Sequence, residues 1–89
     1  MDANQENRLA MLAIIVEDLD SVEKLNRLMH ENGQYIIGRM GLPCREKGVS
    51  LISIALDAPQ DIISSLSGKL GMLPGVSAKA VYAKTKTQL

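Results

Sequence analysis

The chain states one structural sentence twice. An apolar strand, an amphipathic helix with an acidic start, a glycine turn and a further strand run from Leu9 to Leu42, and the same order returns from Val49 to Ala83. The first copy reads Leu9 to Val16, Asp20 to Asn32, Gly33, then Tyr35 to Leu42; the second reads Val49 to Leu56, Asp57 to Leu70, Gly75, then Val76 to Ala83. The offset is about 40 residues, the scale of a repeated supersecondary unit. Two βαβ units in 89 residues predict an α+β, ferredoxin-like βαββαβ sandwich. Right-handed crossovers interleave the units into a four-stranded antiparallel sheet, with the first and third strands central and both helices on one face.

The periodicities fill in this outline. Leu9 to Val16 is continuously apolar, which predicts a central strand covered on both faces. Asp20 and Glu23 have the D-x-x-E spacing in which Asp20 caps the first helix. Val22, Leu25, Leu28 and Met29 then form the stripe that faces the sheet, with Glu23, Arg27 and His30 on the other side. Gly33 is placed to end that helix in a left-handed turn. Pro43 to Lys47 reads as the hairpin loop between the second and third strands. In the third strand Ile52, Ile54 and Leu56 alternate with Leu51, Ser53, Ala55 and Asp57. Asp57, Pro59 and Gln60 begin the second helix, whose stripe is Ile62, Ile63, Leu66 and Leu70, with Gly71 closing it and Pro74 and Gly75 turning into the last strand. Residues 8–84 are expected to form a single domain between polar tails at 1–7 and 85–89.

Composition narrows the class. The chain has no Phe and no Trp, so the core is built from aliphatic side chains and methionine, and a domain this short buries a modest share of its surface. Ten basic residues balance ten acidic ones, which leaves no net field to gather nucleic acid or an anionic membrane. Neither partner is expected. No secretory signal pattern opens the chain and no run is long enough to span a bilayer, so a cytoplasmic protein is expected. With both helices on one face, the other face carries Ile37, Leu51, Ala55, Val81 and one apolar set from the first strand. That is more than a small monomer leaves wet, and it predicts a homo-oligomer, a dimer or a tetramer.

The search for chemistry mostly excludes. An RNA-reading sheet needs aromatics on its central strands, whereas Tyr35 and Tyr82 fall on the outer ones. A phosphate-binding turn after the first strand wants glycines and an arginine. Here the turn is Glu17, Asp18, Leu19, Asp20; its carboxylates suit a helix start, and as hard oxygen donors they also suit a cation or an amine. His30 and Cys44 are the available imidazole and thiol, one of each, which leaves a metal shell incomplete unless chains share it. No nucleophile and base pair is visible and no cofactor cradle, so neither an enzyme nor a bound cofactor is expected. In the stretch from Gly38 to Gly48, two glycines inside a strand mark a bulge or a close approach by another backbone or a ligand. If Ile36 and Met40 face the helices, Arg39 projects from the open face, where it suits a carboxylate.

The run G-R-M-G-L-P-C-R-E-K-G-V-S-L-I-S from Gly38 to Ser53, preceded by Ile14 to Asp18 and followed by G-K-L-G-M-L-P-G-V from Gly68 to Val76, resembles a small family of regulators of iron-only hydrogenase systems. The likeness spans Arg8 to Lys84. It implies a stand-alone domain similar to ACT domains and to the C-terminal domain of nickel-responsive repressors, with hydrogenase or maturation proteins as further partners. The nickel repressors' DNA-reading segment has no counterpart in the seven residues before the first strand, and their nickel ligands are not matched by His30 and Cys44. ACT domains bind amino acids between subunits at the turn after the first strand and on the second strand. By position that nominates Asp18, Leu19 and Asp20 with Gly38, Arg39 and Met40 for a small-molecule effector. Ligand sensing by an oligomer, docking of hydrogenase proteins and metal sensing are the functions carried forward, in that order.

Overall fold

Alternation along the strands decides which side of the sheet is dry. In β1 (Asn7–Val16), Ala10, Leu12, Ile14 and Val16 are buried while Met11, Ala13 and Ile15 are exposed. In β3 (Val49–Pro59), Ile52, Ile54, Leu56 and Ala58 are buried and join the same core. The computed structural model describes residues 6–84, so 1–5 of the expected tail at 1–7, and all of that at 85–89, lie outside the described residues, while β1 takes in Asn7.

The remaining elements are α1 (Val22–Glu31), β2 (Ile36–Cys44), α2 (Gln60–Gly71) and β4 (Val76–Tyr82), and the sheet is antiparallel with order β2-β3-β1-β4. The predicted βαββαβ sandwich is therefore the observed one, with β1 and β3 central. Leu25 and Met29 of α1 and Ile63, Leu66 and Leu70 of α2 complete the core, with Val22, Leu28 and Ile62 packed at its margin. Burying each such aliphatic side chain contributes about 1.5–3 kcal/mol of transfer free energy. The result is a slab of 45 × 25 × 17 Å, one sheet and one layer of helices thick.

Several local expectations give way to tertiary contacts. Asp20 does not cap α1: Asp18 turns the chain first, its Oδ1 accepting from the Asp20 backbone N–H at 3.0 Å, and Leu19–Ser21 forms a turn of 3₁₀ helix ahead of α1. A side-chain oxygen two residues earlier in the chain thus competes for the backbone. Ser21, at the helix N-cap, makes no cap bond and instead donates its Oγ to the Pro74 carbonyl at 2.6 Å. Asp57 does not start α2 either; β3 continues through it to Pro59, because β1 is long enough to pair that far, Asn7 against Pro59. Gly33 is not left-handed, and Gly33–Tyr35 is a second 3₁₀ turn that holds Tyr35 outside β2. The left-handed glycines are Gly48 and Gly75. Gly48 closes the short Arg45–Lys47 turn, so Pro43 and Cys44 belong to β2 rather than to a loop. Proline is tolerated there because β2 is an outer strand.

In β2 the register slips between Ile36 and Gly38, leaving Ile37 as a bulge. Past a one-residue insertion every side chain changes face. Arg39 is consequently opposite Ile54, on the helix side, where its Nη2 donates to Asn26 Oδ1 at 3.3 Å; Met40 is opposite Ser53, on the open side. The expectation that Met40 faces the helices and Arg39 the open face is reversed. Nor is β1 covered on both sides within one chain: its odd-numbered face is bare.

Candidate functional site

The bare face is built from positions that pair across all four strands. Gly38, Met40 and Leu42 of β2 stand beside Ala55, Ser53 and Leu51 of β3, these beside Met11, Ala13 and Ile15 of β1, and these beside Val81, Lys79 and Ser77 of β4. Met11, Ile15, Met40, Leu42, Leu51 and Val81 are each between 41 % and 65 % exposed, although they lie on the sheet rather than on loops. Single exposed apolar residues need no explanation, but a contiguous set does.

Relief on this face follows from side-chain size. Ala13 and Ser53 are small and central, and Ile15, Met40, Leu42 and Leu51 rise around them, leaving a shallow apolar depression of about 200 Å³. Ser53 supplies its polar side chain; no charged side chain lines it. A hydrophobic hollow with one hydroxyl can bind or be covered by an apolar group, but it offers nothing to compensate a buried charge.

The candidate ligand residues do not converge within a chain. Asp18, Leu19 and Asp20 lie beyond the end of β1, past the row in which Val16 pairs with Ser50 and Ser50 with Pro43. Gly38 and Met40 lie two strands away and several residues back, roughly 10 Å across the sheet and 10 Å or more along it. Asp18 is also committed to its turn, with its Cβ pressed against Gly75 and the neighbouring Glu17 N–H donating to the Gly75 carbonyl at 2.7 Å. Of the interface candidates, Leu51, Ala55 and Val81 stand on the open face and Ile37 on the exposed bulge. A Cβ on Gly38 or Gly41 would meet nothing within 4 Å. The space beside these glycines is open in the single chain.

Other chemistry finds less support. His30 is exposed on α1, which leads into β2, and Cys44 is half-buried at the far end of that nine-residue strand, about 26 Å along it. Among the described residues no group of three or more His, Cys, Asp or Glu is placed to hold a metal ion. Tyr82 turns to the helix side, its ring under the Arg8 guanidinium at 4.6 Å and its hydroxyl 3.4 Å from Ser64 Oγ. The open face thus carries no aromatic residue. No helix among the described residues is long and apolar enough to cross a membrane. The open face was legible in part from the sequence; Met11, Ile15 and Leu42 complete it, and the signal for them was the odd-numbered apolar set of β1 and the parity of β2 once its bulge is known.

An antiparallel sheet of this order with two helices on one face is a ferredoxin-like sandwich, and this one has an ACT-like fold. It is similar, at 18 % identity and a TM-score of 0.66, to the ACT domain from GTP pyrophosphokinase of Chlorobium tepidum, over 84 % of this chain and 99 % of that one. The chain belongs to the TM1266-like family, described as "Iron-only hydrogenase system regulator, putative", whose model matches residues 8–80. Uncharacterized protein TM1266 from Thermotoga maritima is similar at 36 % identity and a TM-score of 0.85, with 89 % of this chain and all (100 %) of that one aligned. The C-terminal domain of the MgtC protein from Mycobacterium tuberculosis shares the fold at 9 % identity and a TM-score of 0.68, over 98 % of each chain. A comparison with curated proteins found no match.

Proposed function

We propose that this chain is a non-enzymatic regulatory domain of an iron-only hydrogenase system, working as a homo-oligomer that senses a small ligand where copies meet. The observation that carries the reading is the uncovered apolar face of the sheet. A thin aliphatic slab gains stability by drying that face, at about 25 cal/mol per Å² of apolar surface removed from water. The ligand sits at the depression, beside Met40 and Ser53, with Gly38 one row away on β2. The Asp18 turn, bonded to its own backbone and packed on Gly75, serves to join the sheet to the helices. Binding at a boundary between copies shifts their assembly to the extent that the associated and dissociated forms differ in affinity, and that shift is the regulatory output.

The test couples sedimentation velocity over a wide range of protein concentration with a thermal-shift screen of small uncharged molecules, amino acids being included as the charged comparison. Concentration-dependent association and a ligand that raises the melting temperature are expected. A protomer that stays monomeric at high concentration and is stabilised by nothing in the screen would sink the reading. Docking of hydrogenase or maturation proteins is the second reading, favoured by the same face being continuous with the outer strand β2. Co-purification of such a protein with an effector-free chain would select it.

A further inference from the structure

The open face is three rows read across β2, β3, β1 and β4: Gly38, Ala55, Met11, Val81; then Met40, Ser53, Ala13, Lys79; then Leu42, Leu51, Ile15, Ser77. Lys79, on the outer strand β4, is the charged side chain of these rows. Asp57, paired with Leu9, stands one row beyond Met11, and Glu17 follows Val16 at the other end. An uncharged centre with charges at its border is the pattern of an interface core and rim.

Building on the oligomeric reading above, we propose that a second copy of this chain covers the face. The two sheets stack about a two-fold axis that lies between them and runs along the strands. β2 of each copy then lies over β4 of the other, and β3 over β1, at the spacing of about 10 Å usual for packed sheets. This operation keeps each row over itself and reverses its order. Gly38 comes opposite Val81, Ala55 opposite Met11, Leu42 opposite Ser77 and Leu51 opposite Ile15. Small faces large in three of these pairs, which is how interdigitating layers fill space.

Charge selects this axis over the alternative. A two-fold running across the strands lays each strand on its own copy and sets Lys79 against Lys79 and Met40 against Met40. Like charges facing each other as water leaves an interface weaken association. The axis along the strands sets Lys79 over Met40 instead, with its aliphatic stem on the thioether and its ammonium at the outer edge of β2, among strand carbonyls that have no neighbouring strand. In the middle, Ser53 meets Ala13 twice, small on small. The depression of about 200 Å³ on each copy is thereby closed by the other into a chamber without a charged wall. Its occupant is a small uncharged molecule, because a charged one would lose its hydration without compensation.

Sedimentation equilibrium of Met40→Glu and Met40→Lys, compared with the unaltered chain, tests the axis. Met40 is 58 % exposed, so both variants should fold, which circular dichroism checks. With the axis along the strands, M40E faces the second copy's Lys79 favourably and M40K faces it unfavourably. M40K should dissociate about tenfold more readily than M40E, or more. Equal association of the two, or tighter association of M40K, overturns the axis while the oligomeric reading stands. Ser53→Arg, at the centre of the face, should abolish the dimer. A dimer that survives it meets elsewhere, which overturns the stack and again leaves an oligomer. A wild-type chain that never associates removes the stack and the oligomeric reading together.

Discussion

Asp18 and Gly75 stand closer than two residues with side chains can. A Cβ built on Gly75 would lie 2.6 Å from Asp18 Cβ and 2.8 Å from its backbone N, and Gly75 has φ +69°. With the Glu17 N–H bonded to the Gly75 carbonyl and Ser21 Oγ to that of Pro74, this approach fastens the turn after β1 to the turn before β4. It is the joint that lets β4 enter the sheet beside β1.

Gly75→Ala should therefore destabilise the fold by about 3 kcal/mol, the cost of a left-handed backbone plus that of displacing Asp18. Gly48→Ala is the control: its φ is +66° but nothing lies within 4 Å of the added carbon, so only the backbone cost of about 1–2 kcal/mol remains. Urea unfolding of both variants checks the difference. Equal losses would mean that the Asp18 contact gives way freely.

Ser21→Ala should cost about 1–2 kcal/mol in the same measurement. Ser21 is 3 % exposed and its hydroxyl donates to the Pro74 carbonyl at 2.6 Å, so the alanine leaves a carbonyl without its partner in a part-buried site. A loss below a few tenths of a kcal/mol would show that water replaces the hydroxyl.

Ile54→Ala should cost about 3 kcal/mol, since Ile54 is fully buried at the centre of β3 in an aliphatic core and its truncation leaves a cavity there. Ile54→Val should cost about 1 kcal/mol. Thermal melts at matched protein concentration give both, since self-association of the kind proposed above would make the melting temperature concentration-dependent.

Arg39→Ala should change stability by less than about 0.5 kcal/mol, as expected for an exposed side chain with one neutral partner, and should leave self-association as it is. Its guanidinium reaches Asn26 on the helix side, away from the bare face of the sheet. Loss of association in R39A, read by sedimentation, would contradict the register of β2.

The reach of the sequence can be judged from these same residues. Alternation in β3 and the stripes of the helices were plain, because each is a strong local period with one buried side. The topology followed from two similar units and the handedness of their crossovers. In β2 the glycines Gly38 and Gly41 pointed to a bulge or a close approach without giving its place; pairing with β3 puts the bulge at Ile37, and with it decides the sides taken by Arg39 and Met40. Likewise D-x-x-E at Asp20 and Glu23 is a sound local signal, yet Asp18 captured the Asp20 N–H first and Pro74, distant in sequence, drew Ser21 away from capping. The apolar face was foreseeable as a class of surface, whereas the hollow in it depends on how Ala13 and Ser53 line up across two strands.

Pro43 lies in the outer strand β2, opposite Ser50, and has no N–H to offer a newcomer strand. Growth of the sheet sideways from that margin, chain after chain, is interrupted at this residue. At that margin the proline guards a thin slab with one bare apolar face against becoming the seed of a fibre.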